Sequence, residues 1–167
     1  MHRSESDGTI LKLMKAVIQR VSHASVTVEQ RVVGSIAAGL LMFVCAERDD
    51  SPQIIEKFVN KVLKLRIFSD AHGKMNRSIM DIDGMGALGG LLIVSQFTLA
   101  AKLWDGNRPS FTDAAPPAHA RRCYEDLLGY ARSQHPIVEA GEFGADMKVA
   151  LLNDGPVTFF MELDQAS

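Results

Sequence analysis

Apolar and polar positions alternate along residues 15–21, with Val17 and Gln19 facing one way and Ile18 and Arg20 the other, which predicts a strand. Residues 24–29 predict a second strand, with Val26 and Val28 in phase, and residues 31–36 a third. Glu29-Gln30-Arg31 between them suits a tight reversal. Gly39 then opens Leu40-Leu41-Met42-Phe43-Val44-Cys45-Ala46, a run apolar on both faces, as a central strand is. After it the period changes. Asp50-Ser51-Pro52 supplies a cap candidate and an early proline, and Ile54, Ile55, Phe58, Val59, Val62, Leu63 and Leu65 recur at helical spacing. Leu65-Arg66-Ile67-Phe68 leads into a short strand, and Ala71-His72-Gly73-Lys74 reads as a turn.

In the second half, Gly84, Gly86, Gly89 and Gly90 form a turn entering an apolar strand over residues 91–99. Residues 101–115 read as a polar loop. Pro116-Pro117 opens a helix running to about Ser133 and carrying Tyr124, Leu127, Leu128 and Tyr130. Residues 137–139 predict a short strand. Residues 147–152 and 157–163 predict two strands joined by Asn153-Asp154-Gly155-Pro156. This order implies an α/β fold, with largely antiparallel sheets forming a barrel-like or sandwich core with two main helices. No repeat or linker interrupts residues 14–167, which read as one domain. Residues 1–13 read as an extension outside it, with Met14 as the natural first residue.

The composition fits: 167 residues, 47% hydrophobic and 23% charged, support one globular core. A formal net charge of −2 gives no general attraction to a long polyanion, yet it leaves room for a grip on the end of one. Cys45 lies in the apolar run and Cys123 in the second helix. Two such cysteines make no disulfide framework and point to a reducing, cytoplasmic compartment. No stretch reaches the ~18 apolar residues of a membrane span, so no membrane partner is expected. The first residues lack the basic start and apolar centre of a secretory signal.

Four polar segments remain: Ser95-Gln96-Phe97-Thr98, residues 107–117, residues 141–147, and residues 153–158. The first closes an apolar strand and is either a set of donors around a carbonyl or a pair of hydroxyls capping a strand end. In the last, Gly155-Pro156 falls inside what otherwise reads as a strand pair, where proline is normally excluded. It is either a hairpin turn or a fixed backbone tip. As a tip with a cis bond, it would aim two adjacent carbonyls to one side, suited to an ammonium group. His2, His23, His72, His119 and His135 are scattered without metal-ligand spacing. No nucleophile elbow, P-loop or dinucleotide fingerprint is present, so neither a metal nor a cofactor is expected.

These segments, in this order, together with residues 14–21 and Lys74-Met75-Asn76-Arg77-Ser78, resemble the D-aminoacyl-tRNA deacylase family over residues 14–162. The N-terminal extension and a slightly longer glycine-rich turn depart from the family pattern without touching its signature segments. The resemblance implies hydrolysis of the ester between a D-amino acid and the 3′ end of tRNA. It implies a homodimer with two sites at the interface, each combining Ser95, Gln96, Phe97 and Thr98 of one subunit with a cis Gly155-Pro156 of the other. The terminal adenine would lie near Phe143 and Met147, and the amino acid near Ala114 and Ala115. Backbone N–H groups near Gln96 and Phe97 are candidate oxyanion donors. Thr98 is a nucleophile or a positioning group. The family is thought to let the tRNA's terminal 2′-hydroxyl assist a water, and this accounts for the missing acid–base residues. An L-residue would drive its side chain into the Gly155-Pro156 carbonyls, whereas a D-residue or glycine would not. Two other readings stand beside this one. A Ser/Thr esterase would need a base beside Ser95 or Thr98. A nucleic-acid-binding module would use a patch of Lys102, Arg108, Arg121, Arg122 and Lys148.

Overall fold

The computed structural model describes residues 10–163. Its backbone is organised by β1 (Lys15–Val28), one continuous strand where two were expected. Along its first half β1 pairs antiparallel with β3 (Gly39–Cys45), and along its second half with β2 (Arg31–Ile36). Glu29 and Gln30 reverse the chain between β1 and β2 with positive φ of 47° and 65°, the pair a tight two-residue hairpin requires. On its other edge β1 pairs antiparallel with β8 (Lys148–Glu162).

β6 (Gly90–Ser95) lies parallel to β3, and β7 (Val138–Ala140) parallel to β6. Parallel neighbours need long crossovers, and these run through α1 (Pro52–Lys64) and α2 (Pro117–Gln134). A short hairpin of β4 (Phe68–Ser69) and β5 (Met75–Arg77) follows α1. A Cβ at Gly34 would sit 2.5 Å from the Ala140 carbonyl oxygen, so β2 and β7 nearly meet and the sheet curls into an almost closed barrel. Val21, Ala24, Val26, Ile36, Leu41, Leu92 and Val94 fill one side of it. The other side, with Ile18, Leu40, Met42, Leu91 and Ile93, is covered by Phe58 and Val62 of α1 and Leu127 of α2.

The start of α1 follows from its sequence. Ser51 Oγ accepts from the Ile54 N–H at 3.3 Å, Pro52 occupies the first turn, and Lys61 and Lys64 meet the negative end of the helix dipole. Asp50 does something else. Its carboxylate accepts from the N–H groups of Met14 and Glu47, both at 2.8 Å, and pins the entry of β1 to the end of β3. Residues 1–9 of the expected extension lie outside the described residues. Within its remainder, Leu13 is buried, and Lys12 exchanges hydrogen bonds with Asp49.

Two further elements differ from expectation. β6 ends at Ser95 and not at Leu99, and residues Phe97–Ala100 wind into a single 3-10 turn. Residues 153–156 do not separate two strands but lie within β8, whose flanks both pair with β1. An advance of two residues on β1, Gln19 to Val21, is matched by five on β8, Thr158 to Asn153. The surplus is thrown out as a bulge carrying a cis Gly155-Pro156 bond. Asn153 closes it, accepting from the Val157 N–H at 2.8 Å and donating to Thr158 Oγ1 at 2.9 Å.

Candidate active site

Where β6 stops, its last residues open into a cleft of about 710 Å³. Ser95, Gln96 and Phe97 form one wall, and Ala114, Ala115 and Pro117 at the start of α2 form another. Phe143 and Met147, from the loop before β8, form the third. Three of the four polar segments are thereby brought together. Thr98 joins them through its hydroxyl, which accepts from the Gln96 side-chain amide. The Phe143 ring is held by Tyr124, centroids 5.7 Å apart, and by the Arg121 guanidinium 4.7 Å from its centroid.

The backbone at the wall is specific about its donors. The Gln96 N–H is committed to the Val44 carbonyl at 2.8 Å, so it is not available to a substrate. The Phe97 and Thr98 N–H groups begin the 3-10 turn, where no preceding carbonyl within the turn can receive them. Two adjacent N–H groups, the first belonging to a residue that lines the cleft, are thus left without an acceptor in the turn where β6 ends.

Acid–base groups are scarce here. Among the described residues Asp146 is the only ionisable one lining the cleft, and it is ion-paired to Lys148 at 3.1 Å. Beneath the wall, Cys45 Sγ lies 3.7 Å from the Phe97 carbonyl. Burial, reinforced by the neighbouring Glu47 carboxylate, pushes this thiol up to about 12, so it is no thiolate nucleophile at neutral pH. Glu47 itself is buried and paired to Lys15 Nζ at 3.3 Å. Among the described residues no cluster of three or more His, Cys, Asp or Glu side chains could hold a metal ion. No helix among them is long and apolar enough to cross a membrane.

Gly155 and Pro156 do not join this cleft within one chain. Arg20, beside the bulge, stands opposite Leu40 of β3, whereas Ser95 stands opposite Val44. That is about 13 Å along the strands, with three strand spacings, about 14 Å, across the sheet. Arg20 went unnoticed as a site residue. It is buried, its Nε donating to the Asp154 carbonyl at 2.9 Å and its Nη1 to the Ile67 carbonyl at 2.8 Å, so it fastens the base of the bulge to the segment after α1. The available signal was a charged residue in phase with Ile18 on the core-facing side of a strand.

The family model described as D-Tyr-tRNA(Tyr) deacylase matches residues 17–162. A D-aminoacyl-tRNA deacylase of Albidiferax ferrireducens is 61% identical over 145 residues, 87% of this chain and 91% of that protein. One of Polaromonas sp. is 57% identical over 154 residues, 92% of this chain and all of the other. Among solved structures, the c-Myc DNA unwinding element binding protein superposes with a TM-score of 0.81 at 37% identity, over 90% of this chain and 99% of that one. A probable eukaryotic D-amino acid tRNA deacylase superposes with a TM-score of 0.76 at 15% identity over the same shares, a likeness of fold.

Proposed function

The chain belongs to the D-Tyr-tRNA(Tyr) deacylase family and is a hydrolase of ester bonds, and on that premise we propose that it releases free D-amino acids from D-aminoacyl-tRNA and spares the L-esters. The observation that carries this reading is a cleft bordered by the start of a 3-10 turn, whose first two N–H groups have no acceptor within the turn, and lined among the described residues by no ionisable side chain other than the ion-paired Asp146. An aminoacyl ester is already activated, so a fixed oxyanion site and a positioned water suffice. Water attacks the carbonyl carbon, assisted by the terminal 2′-hydroxyl. The negative charge builds on the carbonyl oxygen, toward the N–H groups of Phe97 and Thr98. The intermediate collapses as the ribose 3′-oxygen leaves and takes up a proton. Thr98, held by Gln96, positions the substrate and is not acylated. Phe143 and Met147 receive the terminal adenine, and Ala114 and Ala115 border the amino acid. No metal or other cofactor enters this scheme.

The chiral filter is assigned to Gly155 and Pro156 of a second subunit. The distance between bulge and cleft within one chain supports a shared site. The outer edge of β8 supports it too: fifteen residues long, paired on one side only among the described residues, and exposing Leu152, Phe159 and Phe160. Such an edge asks to be covered, and a second copy of the chain does so symmetrically. The bulge carbonyls then accept from the substrate's α-ammonium, an L side chain collides with them, and a D side chain points out. Glycine, with no side chain to collide, is also cleaved. A substrate that serves translation supports a cytoplasmic location. The rival small-ester hydrolase would need a base that the cleft does not hold beside Ser95 or Thr98.

The test is release of amino acid from D-Tyr-tRNA, L-Tyr-tRNA and Gly-tRNA. Release from the D- and glycyl esters but not the L-ester is expected. Equal D and L rates would remove the filter, and no release from any would remove the deacylase reading.

A further inference from the structure

Between the Phe97–Ala100 turn and the start of α2 the chain makes a small excursion. Lys102 and Ser110 exchange backbone hydrogen bonds at 2.8 and 2.9 Å, so the expected polar loop is a pinched hairpin. Both of its feet stand on the cleft. The first follows directly from the wall of Gln96 and Phe97, and the second is continuous with Phe111, which lines the cleft and lies 5.1 Å, centroid to centroid, from the Phe97 ring. A Lys102–Asp113 ion pair at 2.6 Å braces the base. At the tip, Trp104 is 98% exposed and Leu103 beside it 63%.

A tryptophan is the costliest side chain to leave wet, and an exposed one on a braced hairpin at the mouth of a site is suited to a flat apolar partner. Resting on the deacylase reading above, we propose that Trp104 is a stacking platform for an unpaired nucleobase of the tRNA 3′ end, one or two nucleotides before the terminal adenosine. Trp104 lies two residues beyond the Lys102–Ser110 bridge, in the bent stretch of a hairpin whose feet border the cleft. Single-stranded ends are gripped by stacking on aromatic rings, which tolerates any base. Asp105 adjoins Trp104 and Arg108 follows, so the tip carries both signs of charge and its contribution is the ring face, not electrostatic attraction. The net charge of −2 fits a grip of this kind, which needs no basic surface.

Trp104 is the only tryptophan, so fluorescence excited selectively over the two tyrosines reports on it alone. The experiment titrates the wild-type protein with deacylated tRNA and with the same tRNA lacking its last three nucleotides. Kinetics of wild type, Trp104→Ala and Trp104→Phe are then measured on D-Tyr-tRNA and on D-tyrosyl-adenosine. Quenching by intact tRNA only is expected. Trp104→Ala should raise KM for D-Tyr-tRNA at least about fivefold, the low end for one base–aromatic stack. Its kcat should stay within about twofold, and Trp104→Phe should recover most of the loss. D-tyrosyl-adenosine, which lacks the stacked nucleotides, should be cleaved alike by wild type and Trp104→Ala. Unquenched fluorescence with an unchanged KM, while D-Tyr-tRNA is still hydrolysed, would overturn the platform and leave the deacylase reading standing. Blue-shifted emission in the free protein, with Trp104→Ala dissociating into monomers, would overturn it in favour of a contact between subunits. Failure of wild type to hydrolyse D-Tyr-tRNA would remove the deacylase reading, and the 3′-end-dependent quench alone would then decide whether the platform stands.

Discussion

Arg20 and Thr98 show how differently two polar residues of this molecule can be read. Arg20 sits where a strand pattern calls for an apolar side chain, and its planar fork spans two carbonyls on separate segments, Asp154 and Ile67. A lysine has the charge without the fork. Arg20→Lys is expected to cost about 2 kcal/mol of stability through the lost charge-assisted hydrogen bonds. It should also lower kcat/KM on D-Tyr-tRNA tenfold or more, because the bulge loses its anchor. Urea unfolding and turnover measured on the same preparation check both parts, and an unimpaired variant would detach the bulge from catalysis. Thr98 stands behind the cleft wall, its hydroxyl receiving the amide of the wall residue Gln96. Thr98→Ala should reduce kcat by no more than about tenfold, well short of the ~10⁶ that loss of a true nucleophile costs. A trapped acyl-enzyme on wild type would contradict the positioning role. Both residues stood in segments the sequence singled out. Thr98 stood out by its polar segment following an apolar run, whereas Arg20 was hidden because alternation alone does not say which face of a strand is buried.

At the level of elements, β2, β3 and α1 followed their periodicity, whereas the two strands expected before them run together as β1, and α1 starts on the Ser51 cap its sequence offers. The parallel ladder β3–β6–β7 and the continuity of β8 were not legible, since both depend on partners far away in the chain. Gly155-Pro156 carries the local signal of a turn, and the long pairing of β8 with β1 overrides it. Asp50 is a second case where local chemistry was redirected. Written beside a helix start, it instead ties β1 to β3, and burial pushes its carboxyl up to about 6 despite two N–H donors. An acid raised in the folded state favours folding most where it is protonated in both states. That contribution is full below about pH 4 and is lost as pH rises through 6, a total of about 3 kcal/mol. Wild type should therefore gain about 1 kcal/mol over Asp50→Asn between pH 7 and pH 5. Urea unfolding of both proteins at the two pH values measures the difference, and parallel pH profiles would show that Asp50 does not titrate in this window.

For the whole molecule, the separation of bulge and cleft yields a prediction that single-subunit reasoning does not. Ala114→Trp should fill the cleft, and Gly155→Val should distort the bulge, since a Cβ at Gly155 would meet the Val157 nitrogen at 2.5 Å. Each homodimer should be inactive. If the site is shared, a dimer containing one subunit of each kind places both defects in one site and leaves the other intact. Equal co-expression makes half the dimers mixed, each with one working site of two, so about a quarter of wild-type activity should return. If each chain completed its own site, every site in the mixed dimer would carry one defect and no activity would return. Recovery would thus bear on the dimer, the path of β8 and the position of the filter at once, because only an interface that brings the bulge of one chain to the β6 end of the other restores a whole site.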